Sequence, residues 1–468
     1  MLQKFKNMKY PFTIFKTISA ENDGCYRILF SFFKPAQSAG LIYTACLCFM
    51  FSGVVMAQDV LPDSSLGKIA LDSACAQRDI GDVIRKAKHK PPKEKSEKTS
   101  SLIAFPIIGS NPATGFMFGL GGQYAFKMPE SSKYSIMSGS LQATSKNQYL
   151  VIFKNNIYTK KEKIFFTGDW RFQVFSQSTY GLGTNSPEGG VLDYQFGLAG
   201  IETTADSLAQ PMKYNFIRVH QGMAFKIKKS MYLGFGLQLD GYSKIKDEKL
   251  RLAPGDTLIT AHYAYSRKYG FSTDKYYSSA LHAAFVIDKR DNMIQPYSGF
   301  YFDIGWRGAL KMLGSEKNAN MANVEWRSYH NVSARNPTHL VAFWLIGEFS
   351  PEGQFPYMTL PATSYDQRSR SGRGYTQGRF RGNQYSYGEA EYRFPISTCG
   401  GVWSGVAFLN ATTANNPAQK LKLFESIQPG YGLGLRIMLD KSTRTNLTLD
   451  YGFGKKSSGF YLAVSETF

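Results

Sequence analysis

Long segments in which apolar and polar residues alternate strictly recur from Ser101 to the C-terminus, and they limit the folds open to this chain more than any other feature. Thr445 to Phe453 sets Leu447, Leu449, Tyr451 and Phe453 against Asn446, Thr448 and Asp450. Ile164 to Val174 sets Ile164, Phe166, Trp170, Phe172 and Val174 against Thr167, Asp169, Arg171 and Gln173. Met231 to Asp240 and Phe300 to Arg307 follow the same rule. Successive side chains of a strand point to opposite faces, so each segment reads as a strand with one face in an apolar medium and the other in a polar one. A soluble sandwich also alternates, but its apolar face is internal and it rarely needs so many long strands.

Sixteen candidates can be counted, at 101–109, 114–128, 132–145, 147–159, 162–176, 211–227, 230–243, 277–289, 297–310, 320–334, 337–350, 384–396, 402–414, 427–439, 443–454 and 457–468. An even number is what a bacterial outer-membrane barrel requires. Connections after even-numbered strands are short, as in Met128-Pro129-Glu130, Lys228-Lys229 and Asp440-Lys441-Ser442, whereas 177–210, 244–276 and 351–383 follow odd-numbered strands. This is the asymmetry of periplasmic turns and extracellular loops. The expected fold is an all-β, 16-stranded antiparallel transmembrane β-barrel over 101–468, with a short N-terminal periplasmic segment and both barrel ends on the periplasmic side. The composition fits, since 15% aromatic residues, 44 Gly and 29 Tyr suit interfacial girdles and tightly curved strands. The last strand is expected to carry Phe460, Leu462, Val464 and Phe468 outward as a C-terminal barrel signal, with Glu466 on that face tolerable only at the periplasmic interface.

Residues 39–57 form an uncharged apolar run after lysines, ending Val55-Met56-Ala57, so residues 1–57 read as a signal peptide cleaved after Ala57. A retained transmembrane helix is the competing reading, because 19 residues can just span a bilayer. Residues 58–100 read as a periplasmic tail or small plug, largely disordered, with one or two helical turns between Leu66 and Lys88 and a charged, Pro-containing linker after them.

The formal charge of +20 falls to +16 without residues 1–57, which hold six Lys or Arg and two acids. The remaining cations are scattered, without zinc-finger spacing, an RNP motif or a basic helix, so nucleic acid is not expected as a partner. Outer-membrane lipid headgroups or lipopolysaccharide are the expected use of the charge. Beyond the leader only Cys75 and Cys399 remain; a bridge between them is chemically permitted and nothing in the sequence fixes their separation. The six histidines lack metal spacing, so no metal, cofactor or enzymatic activity is expected. Gly430-Tyr431-Gly432-Leu433-Gly434 reads as barrel glycine within a strand, not as a phosphate loop.

The segment Gly372 to Ile396 adds an Arg373-Gly374-Tyr375 turn in an arginine-rich loop, followed by a strand bearing Glu389, Glu391 and Arg393 on one face and Tyr392 and Phe394 on the other. With Phe105 to Gly115 and Asp288-Lys289-Arg290-Asp291-Asn292 followed by Pro296 and Gly299, it makes residues 101–468 resemble the barrel of the BamA and TamA superfamily, also called the bacterial surface antigen family. The resemblance implies a sixth extracellular loop folded into the lumen, where its arginine pairs with acids on the strands that follow. Carried over by position, Arg373 meets Glu391, on the same face as Glu389. A second family acid is replaced by Asn410, so the expected lock is one ion pair and one neutral hydrogen bond. The competing reading makes Arg368, Arg370, Arg379 and Arg381 a generic charged constriction.

For function, the resemblance implies outer-membrane protein assembly or translocation through a lateral seam between the first and last strands, near Ile103 and Val464. The polypeptide-transport-associated (POTRA) domains that usually receive clients do not fit before Ser101, so a short form is expected. That leaves open a structural barrel acting with other outer-membrane proteins or as a lipid-perturbing homo-oligomer, and a passive channel. The expected location is the outer membrane of a Gram-negative bacterium.

Overall fold

The computed structural model describes residues 77–91, 99–111, 115–185, 191–192, 206–207, 209–397 and 400–468. The expected leader and cleavage point, Cys75, Cys399 and the Pro112-Ala113-Thr114 turn lie outside the described residues.

Sixteen strands make one antiparallel sheet in chain order. They are β1 (Ser100–Asn111), β2 (Gly115–Lys127), β3 (Tyr134–Thr144), β4 (Tyr149–Tyr158), β5 (Ile164–Thr179), β6 (Gln210–Lys228), β7 (Met231–Asp247) and β8 (Tyr276–Asp288). The second half comprises β9 (Gly299–Ala309), β10 (Ala319–Asn331), β11 (Leu340–Gly353), β12 (Gln384–Pro395), β13 (Trp403–Ala414), β14 (Gln428–Asp440), β15 (Thr445–Gly454) and β16 (Ser457–Val464). Each expected strand is present, displaced by a few residues at most. Alternation sets the faces: Leu237, Leu409, Leu433 and Phe460 are more than half exposed outside, whereas Asp169, Asp240, Thr448 and Asp450 are buried within. Antiparallel pairing leaves β1 and β16 at the two ends of the sheet order. Side chains bring these ends together, since Ser465 Oγ donates to Gln123 Oε1 of β2 (2.7 Å) and Ser101 Oγ donates to Asp440 Oδ2 of β14 (2.7 Å).

Both rims are crossed. At the short-turn rim, the β8–β9 connection carries the Asp288-Arg290 ion pair (2.9 Å), with Tyr158 at the end of β4 donating its hydroxyl to Asp288 at 2.5 Å. The same connection accepts Arg444, from the β14–β15 turn, on Asp291 (2.5 Å). Strands well separated around the barrel are therefore tied by one turn. At this rim α1 (Ile80–Ala87) also sits, within the region expected to hold helical turns. At the long-loop rim, α2 (Ala261–Tyr269) starts at Thr260, whose hydroxyl accepts the Tyr263 N–H, and ends at Gly270 in the left-handed region (φ 64°). Its Tyr265 hydroxyl donates to the Phe355 carbonyl (2.9 Å), so the β7–β8 and β11–β12 loops share an aromatic core across that mouth.

The C-terminus departs from expectation. β16 ends at Val464, and Ser465 takes a left-handed conformation (φ 77°) that rotates the last residues off the alternating strand. Phe468 is therefore not on the outer face beside Phe460 and Leu462. It is buried inside, stacked on Trp344 at 5.3 Å between centroids. Glu466 likewise leaves the apolar face and receives Arg436 Nε at 2.8 Å. A carboxylate that was awkward against lipid is thus neutralised in the lumen.

Because Leu433 lies mid-strand and is 65% exposed on the outer face, Leu433→Arg is expected to destabilise the folded barrel by about 2–4 kcal/mol. Urea unfolding in liposomes checks this, and an unchanged midpoint would contradict a lipid-facing position.

Candidate functional site

The connection 354–383 between β11 and β12 folds back into the lumen, and its local structure explains how. Asp366 accepts the backbone N–H groups of Arg368 (2.8 Å) and Ser371 (2.9 Å), which turns the loop on itself. Ser364 Oγ donates to the Ser371 carbonyl (2.7 Å), and the Thr363 N–H donates to the Phe380 carbonyl (3.0 Å), closing the base of the turn. Arg381 is fully buried and donates to the carbonyls of Tyr357 (3.0 Å) and Leu360 (3.1 Å). The loop thus meets the barrel wall held by its own hydrogen bonds.

At its inner end lies Arg373, with no solvent exposure of the side chain. Its guanidinium meets Glu389 Oε1 of β12 at 2.6 Å, Glu391 Oε1 of the same strand, and Asp450 Oδ2 of β15 at 2.7 Å. The face of the guanidinium packs on the Phe408 ring of β13, 3.7 Å from its centroid. Burial alone would depress the Arg373 pKa, but the carboxylates of Glu389, Glu391 and Asp450 hold it well above its ordinary value. The expected lock of one ion pair is therefore corrected to one guanidinium among three carboxylates. Asn410 does not replace the family acid as an acceptor for the guanidinium; its Nδ2 donates instead to the Arg373 backbone carbonyl (3.0 Å) and to Glu389 Oε2 (3.4 Å).

The carboxylates are themselves held. Arg393 meets Glu391 Oε2 at 2.6 Å, and Arg436 of β14 pairs with Asp450 and with Glu466. Tyr387 donates its hydroxyl to Glu389 Oε2 at 2.6 Å. Arg393 also donates to the terminal Phe468 O (3.2 Å), so the inward tail joins the same network. Partners on each carboxylate are what make a buried cluster of charges tolerable.

Close approach of backbones completes the fit. Gly374 has φ 103°, a conformation that L side chains rarely adopt, and its N–H donates to the Tyr461 hydroxyl of β16 at 2.9 Å. On the wall opposite, a Cβ on Gly452 would lie 2.7 Å from the Gly374 nitrogen. Glycine on the inner face of β15 thus gives the Arg-Gly-Tyr turn room to seat. Tyr375 extends the contact by donating its hydroxyl to the Pro429 carbonyl of β14 (2.6 Å).

The other loop arginines are not one uniform lining. Arg379 stacks on Tyr180 and Phe380, and Arg381 on Tyr357 and Tyr365. Arg368 borders a cavity of about 250 Å³ with Asp169, Arg218, His220, Arg307 and Glu348. Burial, with Arg327 nearby, pushes the Arg368 pKa down to about 9. Of the seam residues, Phe460 and Leu462 face outward, while Ile103 and Val464 are half-buried on the two terminal strands. Among the described residues, no cluster of His, Cys, Asp or Glu has metal-binding geometry. Sequence reasoning missed Asp450, Arg436 and Tyr461. Their signal was inward parity combined with a charge or hydroxyl in a membrane strand.

Residues 137–468 match the model of a family described as the Omp85 superfamily domain. Among solved structures, the chain is similar to BamA from Haemophilus ducreyi lacking POTRA domains 1-3, with a TM-score of 0.49 and 12% identity over 78% of this chain and 70% of that one. CdiB from Acinetobacter baumannii gives a TM-score of 0.43 and 10% identity over 78% and 59% of the two chains. No curated protein matches this chain.

Replacing Arg373 with Ala strands Glu389, Glu391 and Asp450 in a buried site, at an expected cost of about 3–5 kcal/mol. Arg373→Lys is expected to fail as a rescue, because a point-like ammonium cannot span all three carboxylates. Trypsin digestion of the detergent-solubilised barrel reads the outcome directly. Cleavage after Arg368, Arg370 or Arg379 is expected in both variants and not in the parent; equal protection in all three would contradict the lock.

Proposed function

Because this chain belongs to the Omp85 superfamily, and is therefore an outer-membrane barrel, we propose that it helps insert or translocate other outer-membrane proteins through the seam between β1 and β16. On this reading the short-turn rim, α1 and the C-terminus face the periplasm, and the Arg-Gly-Tyr loop is a strut that stiffens the wall beside the seam.

The observation that carries the reading is an asymmetry of bracing. From Arg373 to Tyr375 the loop touches β12, β13, β14, β15 and β16 in succession, ending at Tyr461 on the seam strand itself. On the other side of the seam, β1 is 12 residues long and β16 only 8, a difference of 4. A strand longer than its neighbour leaves N–H and C=O groups open to pairing, which is the chemistry of strand addition. A fixed wall on one side and an underpaired edge on the other supports opening at the seam rather than within the wall. The passive-channel reading is less favoured, since the loop and both crossed rims occupy the lumen.

Cysteines at Ile103 and Ala463, near the short-turn ends of β1 and β16, give the test. Oxidation is expected to block complementation of a depleted strain and to lower the abundance of outer-membrane barrels in proteomics, with recovery on reduction. Full complementation by the crosslinked protein would sink the proposal. In planar bilayers the parent is expected to conduct little and Arg373→Ala to conduct more; a large, stable parental conductance would favour the channel instead.

A further inference from the structure

We propose that α1 is an interfacial helix that binds anionic phospholipid in the leaflet beside the short-turn rim. The inference goes beyond the seam reading and does not need the barrel to handle clients; it takes from that reading only which leaflet is concerned.

The helix is built locally and then fastened to the barrel. Asp79 accepts the Asp82 N–H at 3.0 Å while Asp82 Oδ2 accepts the Asp79 N–H at 3.2 Å, a reciprocal cap that supports a helix too short to persist alone. Its start is held to three connections of the rim. Gln77 Nε2 donates to the Tyr297 hydroxyl (2.6 Å), the Arg78 N–H to the Gly400 carbonyl (2.8 Å), and Lys441 Nζ to Asp82 Oδ2 (2.5 Å). Both aspartates are thereby used, in the cap and against Lys441.

What the helix leaves uncovered is apolar and basic. Ile80, Val83 and Ile84 share one face by their spacing and are 40%, 49% and 49% exposed, so the barrel does not cover them. Residues 77–91 hold five Lys or Arg (Arg78, Arg85, Lys86, Lys88, Lys90) against two Asp, a net of +3. Four of the five cations lie at or beyond the last turn of the helix; of these Lys86, Lys88 and Lys90 are exposed and Arg85 is half-buried. The rim of a barrel with an apolar outer band lies at the headgroup level of its bilayer. An exposed apolar stripe flanked by cations at that level matches phospholipid acyl chains on one side and anionic phosphate on the other. Tethering to the rim makes the contact intramolecular, so a weak stripe of three side chains can stay engaged.

The test uses the whole protein in nanodiscs and hydrogen–deuterium exchange of residues 80–90. Exchange is expected to be several-fold slower in phosphatidylglycerol-containing discs than in pure phosphatidylcholine discs. Val83→Asp should abolish the protection. Since that variant also risks unfolding the helix, Lys86→Glu with Lys88→Glu is paired with it; this variant should keep helical exchange in phosphatidylcholine and lose only the response to phosphatidylglycerol. Equal exchange in the two lipids would overturn the proposal. So would protection that arises only with a co-purifying protein and is indifferent to lipid charge, which would assign the face to a protein partner.

Discussion

Arg373 sits without solvent against Glu389, Glu391 and Asp450, and the arrangement of the lumen depends on that contact. Three carboxylates drawn together from two strands would repel one another strongly in a poorly solvated interior. One guanidinium, with its fixed fork of donors, neutralises them in a single geometry. The same geometry dictates where the loop backbone must run, and hence why Gly374 and Gly452 face each other. Arg393 and Arg436 extend the network to Phe468 and Glu466. The folded loop, the C-terminal wall and the inward tail are therefore one electrostatic unit.

That unit has a mechanical consequence. A barrel wall is held by its ladder alone unless something inside ties strands together, and here the ties are concentrated between β12 and β16. The other brace, the β8–β9 connection, runs from Tyr158 to Arg444 at the short-turn rim. The first strand is joined to the opposite side by contacts such as Ser101 with Asp440. On the proposed reading, a wall braced from inside and two crossed rims leave the seam between the first and last strands as the place where opening is expected. The α1 helix is fastened on this same rim, at the β14–β15 turn.

Most of the fold was legible in the sequence because a membrane barrel enforces a period of two over its whole length. Lipid outside and a polar lumen inside leave no other way to place Leu433 and Asp450. Loop lengths likewise separated a short-turn rim from a long-loop rim. The site was legible only in part. Arg373, Glu389, Glu391 and Asn410 lie close in the chain and share parity or a motif, so they could be grouped. Asp450 belongs to a strand three further on, and parity says only that it faces inward, not what it faces. Phe468 could not be read correctly, because one left-handed residue, Ser465, cancels the alternation on which the reading rests. The long-range ties of the β8–β9 connection have no periodic signal at all. They depend on distances across the barrel that no local pattern encodes.

The central claim is that the lumenal loop is fixed while the seam moves. Double electron–electron resonance on the reconstituted protein measures both, with one spin-label pair joining Gln367 to the inner face of β12 and a second joining β1 to β16 at their short-turn ends. A narrow distribution for the first pair and a broad one for the second, widening further when an unfolded barrel protein is added, is the predicted result. A broad loop distribution beside a narrow, client-insensitive seam would contradict the account.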